Sequence, residues 1–427
     1  MSRNLALGVA ACGAVVAVLL LLYLSALQGG QRGQGEQWVG APAGTSDGQA
    51  REMFRLARYL GSGQSSVPRP VPAASGLIEV PEGLRERIDF WKRVYTEYYS
   101  YQAVVHDSRE IERVYGLVDL RDEPGVRIGD YASLSRAARR VAARYREHLR
   151  FLTATRYDSG HLAGERRRLY LLLQSDGGVA AHRGAVESLR VQRGLRDTMR
   201  ESIVRSGRYI PHYLRTFREM ELPAELVVLP HLESAFRFDA RSSAGAVGIW
   251  QLTSQASRRL LHINSAVDER LDPWRSAEAA ARLLAENHRS LGSWPLAVTA
   301  YNQGLTSIRR AVRTTGSRDL VEIIERYRSR SFGFAGRNFY AAFVAVVEVV
   351  RNYELYYGSL PIEPEERVER HTLRRSAPLE QICRELGILP RQLASINPAL
   401  RRLAFNPSTS LPRGLVLNLP AESAGAN

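Results

Sequence analysis

Residues 224–236 have the sequence AELVVLPHLESAF, an apolar stretch that ends near a single carboxyl group. Pro223 stands directly before it, at a position that favours the start of a helix, and a kink is expected at Pro230. Apolar neighbours at the end of this helix would leave the carboxyl group of Glu233 poorly solvated. Poor solvation raises the pKa of a carboxyl group, so Glu233 is predicted to hold a proton near neutral pH and to act as a general acid. The competing interpretation is a helix-end glutamate that water solvates.

A second segment, AGAVGIWQ at residues 244–251, combines glycines with a large aromatic and a polar side chain. Gly248 has no side chain to keep a bulky ligand away from the backbone. Trp250 is predicted to offer a flat face to a sugar ring or to form a wall of the carboxyl pocket, and Gln251 to hydrogen-bond N-acetyl groups. The alternative is a glycine-rich turn before a helix.

A third segment, AYNQG at residues 300–304, is predicted to end a helix. Tyr301 and Asn302 would present a hydroxyl and an amide group to the same cleft, and Ser234 is expected to steady the carboxyl group beside it. The alternative for this segment is a core tyrosine followed by a helix stop at Gly304.

The segments occur in the order ESAF, AGAVGIWQL, DERLDP and AYNQG, with Glu233 and Gln251 eighteen residues apart (251 − 233). In this order they resemble the lytic transglycosylase domain of the soluble-lytic-transglycosylase and goose-type-lysozyme superfamily, closest to the membrane-bound lytic murein transglycosylase D group. The resemblance implies a lysozyme-like helical catalytic domain over residues 208–358, with Glu233 as catalytic acid/base. It places Ser234, Gln251, Tyr301 and Asn302 in the cleft, and the residue types add Gly248 and Trp250 as substrate-binding positions.

The resemblance also implies a reaction that needs one acid. An ordinary glycosidase uses two carboxylates ~5–9.5 Å apart, and the segments ESAF, AGAVGIWQL and AYNQG contain no acid besides Glu233. A lytic transglycosylase protonates the bond between N-acetylmuramic acid and N-acetylglucosamine in peptidoglycan. The same residue then activates the C6 hydroxyl of the muramic acid, which leaves a 1,6-anhydro end. Two alternatives stay open: a lysozyme-type hydrolase and a non-catalytic scaffold that binds the cell wall.

The chain departs from the resemblance at residues 333–340, GFAGRNFY. Many relatives carry a Glu-Thr pair and a nearby tyrosine before the last helix of this domain. Ala335 occupies the acidic position here, and Phe339 occupies the tyrosine position, where it keeps the ring and loses the hydroxyl. These differences concern the outer contacts with the substrate.

The N-terminal residues are predicted to form a membrane segment and a tether. The stretch from Leu5 to Leu27 carries no charge, and at ~1.5 Å rise per residue it is long enough for a ~30 Å hydrocarbon core. Arg3 precedes it, which favours a body outside the cytoplasm, in the periplasm of a bacterial cell envelope. Residues 1–27 are therefore predicted to be a transmembrane helix in the cytoplasmic membrane, with a cleaved signal peptide as the alternative. Residues 28–78, rich in Gly, Gln, Ser and Pro, are predicted to be a flexible linker.

Two regions flank the predicted catalytic domain. Residues 79–207 have apolar side chains at spacings of three and four, which predicts a helical accessory domain. Over residues 369–421 the order strand, helix, helix, strand predicts a compact α+β module. This module resembles a LysM domain, a fold that binds N-acetylglucosamine polymers, in a degenerate form because SAP at residues 376–378 stands in place of a Gly-Asp-Thr turn. The overall prediction is a mainly α fold with a βααβ module at its end.

Charge and composition narrow the range of partners. The formal net charge is +15, and Lys92 is the only lysine, so the positive charge is almost all arginine. Such a charge favours an anionic partner, but no nucleic-acid-binding signature is present, and the alternative is an arginine-rich codon bias with solvated faces. Glycan strands of peptidoglycan are the partner that the family resemblance implies. The two cysteines are far apart and form no CxxC pair, and His231-x-Glu233 lacks the Pro-Cys-x-x-Cys partner of zinc deaminases. No metal and no cofactor are predicted.

Overall fold

The computed structural model describes residues 78–154, 159–179 and 183–421. The α-helices in these ranges, numbered α1 to α16 in chain order, are Arg85–Thr96, Tyr131–Ala154, Gly164–Ser175, Ala185–Ser188, Arg196–Ser206, Ile210–Glu219, Leu229–Glu233, Ser254–Ser257, Pro273–Leu291, Trp294–Gln303, Leu305–Thr315, Leu320–Arg326, Phe334–Arg351, Tyr353–Tyr357, Leu379–Leu386 and Pro390–Ile396. The strands, numbered β1 to β7, are Gln102–Asp107, Val114–Asp119, Leu189–Arg193, Val368–Thr372, Ala377–Pro378, Ser410–Leu411 and Val416–Pro420.

One helix, α13, is buried on all sides and organises the central domain, residues 208–360. Every side chain from Phe339 to Arg351 is buried, as expected for a helix that is apolar around most of its circumference. The helix α10, which carries the AYNQG segment, packs against α13, and so does the short helix α7 that ends at Glu233. The same buried helix therefore supports two of the three segments that were predicted to form the cleft.

The main apolar core joins the central domain to the accessory region, residues 78–207. Ile88, Trp91 and Val94 of α1 lie in the same buried cluster as Phe343 of α13. Because each fully buried side chain of this kind contributes about 1.5–3 kcal/mol, this shared core makes α1 an integral part of the central structure.

The accessory region contains a β-sheet, and the prediction that residues 79–207 are helical throughout is wrong. β1 lies between β2 and β3 in an antiparallel sheet, with Val104 opposite Leu117 on one side and Gln192 on the other. These strands are only five or six residues long, so the helical spacing of the long segments around them dominated the pattern. The helix α2 packs against the sheet, and together they enclose a second apolar core that includes Tyr115.

The prediction of an N-terminal transmembrane helix as part of the fold is corrected. Among the helices of residues 78–154, 159–179 and 183–421, none is both long and apolar enough to cross a membrane. The predicted anchor, residues 1–27, and the linker up to residue 77 lie outside the described residues. The predicted attachment to the cytoplasmic membrane through that helix therefore has no support in the structure.

The C-terminal module, residues 368–421, has its long strands and helices in the order β4, α15, α16, β7, which is the predicted order of strand, helix, helix, strand. β4 and β7 are antiparallel with His371 opposite Leu417, and β5 and β6 form a second, shorter pair. Leu393 and Leu417 lie in its core, and so do Ala266 and Val267 of the central domain. The module therefore shares its core with a loop of the central domain.

Candidate active site

Glu233 is the last residue of α7 and its side chain is buried, with 3% of the residue exposed. Leu232 and Phe236 beside it are buried as well. Burial raises the pKa of the Glu233 carboxyl to about 8, and no charge or hydrogen bond contributes to that shift. A carboxyl group with this pKa is mostly protonated at neutral pH, which is the state that a general acid requires.

The chain reverses direction at two points of the site through residues in the left-handed region. Ala235 and Phe236 have φ values of 53° and 59°, and Gln251 has a φ of 47°. Such values are rare outside glycine and cost on the order of 1–3 kcal/mol each, so they persist only where the surroundings impose them. Their position directly after Glu233 and at the end of the glycine-rich segment marks both turns as imposed by the site.

Tyr301 lies close enough to Glu233 for the charge of the carboxyl group to act on its hydroxyl. Its hydroxyl donates a hydrogen bond to the backbone oxygen of Trp250 at 2.7 Å. Burial raises the pKa of Tyr301 well above its usual value, and the nearby carboxyl of Glu233 raises it further. The tyrosine is thus a neutral hydroxyl that links the acid to the glycine-rich segment.

Ser234 contacts the backbone and does not hold the carboxyl group. Its hydroxyl donates to the backbone oxygen of Ile249 at 2.7 Å, and no bond to Glu233 is among its contacts within the described part of the chain. The expectation that Ser234 steadies the acid is therefore corrected. Its contact fastens the end of α7 to the glycine-rich segment, 15 residues further along.

Trp250 is a core residue and cannot be a platform for a sugar. It is fully buried, and its ring lies 5.6 Å from that of Phe217 in a stacked arrangement and 5.2 Å from that of Tyr213. Of its two predicted roles, only that of a wall is compatible with this position. Sequence alone could not separate the two, because both call for a large aromatic side chain at that position.

Gly248 is required by a close approach within the protein. Its φ is 82°, and a Cβ atom built on it would lie 2.0 Å from the backbone oxygen of Arg270. This close approach explains the glycine without a ligand, and the contact between Gly248 and the substrate stays a prediction. The glycine allows the segment to pack on the DERLDP motif, and an alanine at this position would collide with backbone.

Gln251 and Asn302 each keep one amide atom without a partner. The Nε2 atom of Gln251 donates to the backbone oxygens of Gly248 at 2.8 Å and Ala240 at 3.2 Å, whereas its Oε1 is buried and has no partner among the described residues. The Oδ1 atom of Asn302 accepts from Gln303 at 2.5 Å, and its Nδ2 is likewise buried without a partner in the described ranges. One acceptor and one donor are left over for a ligand.

Arg270, in the DERLDP motif, fastens the glycine-rich segment to the rest of the domain. It forms two hydrogen bonds with Asp268, at 2.8 and 2.9 Å, and it donates to the backbone oxygens of Gly245 at 2.9 Å and Leu252 at 3.2 Å. The arginine thus clamps both ends of the glycine-rich segment. An Asp and an Arg two residues apart are too common in sequences to predict such a clamp.

Residues 333–340 border the same site. A Cβ atom on Gly336 would lie 2.8 Å from Cδ of Gln303, so the start of α13 packs on the AYNQG segment. Phe339, at the position of the family tyrosine, is buried, and Ala335 is partly exposed.

His231, two residues before Glu233, is buried, and its Nδ1 atom lies 2.7 Å from the hydroxyl of Ser202. Burial lowers the pKa of His231 to about 3.

The comparison with protein families concerns the same part of the chain. Residues 215–324 match the family model described as Transglycosylase SLT domain, and this range contains Glu233, Gln251, Tyr301 and Asn302 and ends before residue 333. The central domain of the chain is therefore similar to that family over residues 215–324.

Two curated relatives are similar at low identity. Membrane-bound lytic murein transglycosylase D of Escherichia coli (strain K12) is 27% identical over 187 residues, which cover 43% of this chain and 41% of that protein. Membrane-bound lytic murein transglycosylase F 2 of Alkalilimnicola ehrlichii is 32% identical over 133 residues, 29% of this chain and 28% of that protein. The chain thus spans less than half the length of either relative.

Proposed function

We propose that this protein is a peptidoglycan lytic transglycosylase that acts in the bacterial cell envelope with Glu233 as its single acid/base. The observation that carries the proposal is the isolated carboxyl group of Glu233, buried at the end of α7 with a pKa of about 8. It lies within the matched SLT domain, beside the hydroxyl of Tyr301. The SLT match and the relatives named as lytic murein transglycosylases support the same activity.

In the first step, Glu233 gives its proton to the oxygen that joins N-acetylmuramic acid to N-acetylglucosamine, and the bond from C1 to that oxygen breaks. In the second step, the Glu233 carboxylate takes the proton of the C6 hydroxyl while O6 bonds to C1 of the same sugar. The acid is then protonated again, no water is consumed, and the product is a 1,6-anhydro end. A nucleophile already tethered to the reacting sugar needs little further positioning.

Tyr301 and the two amides supply the polar contacts. Because the hydroxyl hydrogen of Tyr301 goes to the Trp250 oxygen, the oxygen of Tyr301 is left to accept a hydrogen bond from another hydroxyl or N–H group of the substrate, while the C6 hydroxyl donates to Glu233. The unpartnered Oε1 of Gln251 suits the N–H of an N-acetyl group, and the unpartnered Nδ2 of Asn302 suits a carbonyl oxygen. A buried polar atom without a partner costs free energy, so a ligand that forms a hydrogen bond with it binds better than one that does not.

The C-terminal module is proposed to bind glycan strands of the wall. The support is its βααβ order together with the sequence likeness to a LysM domain. The arginine-rich surface, with a net charge of +15 for the chain, suits a polymer that carries carboxylate groups.

Digestion of purified sacculi, with mass analysis of the products, tests the proposal. The expected product ends in 1,6-anhydro-N-acetylmuramic acid and is one water lighter than a hydrolysed one. Glu233→Gln should form product about 10²–10⁴-fold more slowly, and Glu286→Gln, at a surface carboxyl paired with Arg259, serves as the matched control. Reducing ends would identify a lysozyme-type hydrolase, and binding without any product would identify a scaffold.

A further inference from the structure

The C-terminal module is attached to the central domain through buried polar contacts. The side chain of Asn418, on β7, donates from Nδ2 to Asp272 at 2.6 Å, and both residues are buried, with 0% and 1% exposed. Asn418 is itself held by Asn397: the side-chain amide of Asn397 exchanges two hydrogen bonds of 2.8 Å with the backbone of Asn418. A buried network of this kind is satisfied only in one relative placement of its members.

A second set of contacts involves Ala266 and Asp268, which precede Asp272 in the chain. Arg401 of the module pairs with Asp268 at 2.5 Å, and its backbone N–H donates to Ala266 at 2.8 Å. The backbone N–H of Asp268 donates in return to Ala399 at 2.9 Å. The module therefore forms hydrogen bonds with the loop of residues 264–272 through both side chains and backbone.

The loop of residues 264–272, which the module contacts, also carries Arg270, the residue that binds the glycine-rich segment of the cleft. Asp268 holds Arg270 through two bonds, and Arg270 holds the backbone oxygens of Gly245 and Leu252. Between those two points, the segment is fastened to Ser234 at Ile249 and to Tyr301 at Trp250. Hydrogen bonds, joined through the backbone of residues 245–252, thus lead from the module to Ser234 and Tyr301, the two neighbours of Glu233.

We propose that the C-terminal module is a positioning element of the active site: Arg401 and Asn418, acting through Asp268, Asp272 and Arg270, hold residues 244–252 against Glu233. This proposal differs from that of a module which only binds the wall, because it predicts an effect on substrates too short to reach the module. Its activity readouts rest on the proposed function, whereas its exchange readout does not.

Arg401→Gln is the first test variant, because Arg401 is only partly buried and its loss leaves the core of the module intact. The matched control is Arg402→Gln, at the exposed neighbouring arginine. Asn418→Ala is a second variant that removes the other contact. Hydrogen exchange of the full-length protein should be faster at the amides of residues 244–252 in both test variants, and unchanged in Arg402→Gln.

Activity on short soluble glycans provides a second readout in the same proteins. We expect kcat to fall about tenfold in Arg401→Gln and Asn418→Ala, since small displacements of catalytic neighbours have effects of this size or larger. The alkaline limb of the pH profile should also move to lower pH, because a loosened segment admits water to Glu233. A merely structural defect would reduce the folded fraction without moving that limb.

The outcomes separate the two proposals. If exchange at residues 244–252, kcat and the alkaline limb all match the control while attachment to sacculi weakens, the module only binds and the positioning proposal is overturned. Faster exchange in a protein whose wild type cuts no glycan would retain the positioning contact and overturn the proposed function instead.

Discussion

Glu233 and Asp272 are two buried carboxyl groups of the same domain that differ in their partners. Glu233 has a pKa raised to about 8 by burial, with nothing to offset it. Burial also raises the pKa of Asp272, but only to about 6, because the backbone N–H of Arg275 and the amide of Asn418 stabilise its charged form. Asp272 also begins the helix α9, where its side chain accepts from the backbone of Trp274 and Arg275.

The comparison separates a carboxyl group that serves structure from one that is available for chemistry. Hydrogen-bond donors around Asp272 hold it in one position and offset part of the effect of burial on its pKa. Glu233 lacks such donors in the part of the chain that the structure describes, so its proton can leave and return at neutral pH at little cost. Burial is thus common to both groups, and the presence or absence of donors distinguishes them.

The largest expected effect that tests this contrast is on catalysis. Glu233→Gln keeps the shape of the side chain but cannot donate a proton, so glycan cleavage should fall by about 10²–10⁴-fold. The rate on purified sacculi at pH 7 measures it, with Glu286→Gln as the control that keeps its activity. A Glu233→Gln protein that retains most of its turnover would remove the basis for the assignment.

The pH dependence of the free energy of unfolding should reveal the burial of the Glu233 carboxyl group. Its folded pKa, about 8, lies above the ordinary value of 4.5, so the wild type loses stability as pH rises from 4.5 through 8. Glu233→Gln carries no such charge and should be the more stable protein above pH 8, by on the order of 2 to 4 kcal/mol. Urea denaturation at pH 4.5 and pH 9 measures the difference, which should be small at the lower pH. Equal curves at both values would mean that the carboxyl group is solvated.

A smaller effect is expected at Asp272, and it should appear in folding. Asp272→Ala removes a helix cap and leaves the Asn418 amide without its partner, which should lower the free energy of unfolding by about 2–3 kcal/mol. Asp319→Ala is the matched control, since Asp319 caps α12 at an exposed position and its loss should cost about 1 kcal/mol or less. Similar losses in the two variants would show that the contact with the module adds nothing.

Local residue chemistry was enough to predict part of the site. The apolar run before Glu233 predicted its burial, whereas the role of Tyr301 beside it stays a prediction. Gly248, Trp250 and Ser234 were assigned to the substrate because each residue type suits a ligand as well as it suits a protein interior. Their partners, among them Arg270, Phe217 and Tyr301, lie up to 51 residues away (301 − 250), and local sequence does not specify such distant contacts.

The fold was predictable to a similar degree and for the same reason. The buried helix α13 and the order of β4, α15, α16 and β7 follow from runs of sufficient length and regular spacing. The sheet of β1, β2 and β3 was missed because a short strand is recognised mainly by its neighbours, and β3 pairs with β1 across about 90 residues. The joint between the C-terminal module and residues 264–272 depends on single polar side chains and has no periodic signal.

The central claim is that burial keeps Glu233 protonated at neutral pH, and the most direct test is to measure the pKa of that carboxyl group. Carbon NMR of the glutamate side-chain carboxyls in the full-length protein, with Glu233→Gln to assign the signal, gives the value without reference to any substrate. The account predicts one resonance that titrates with a midpoint near 8 and is missing from the variant. A midpoint for Glu233 near the ordinary value of 4.5 would contradict it.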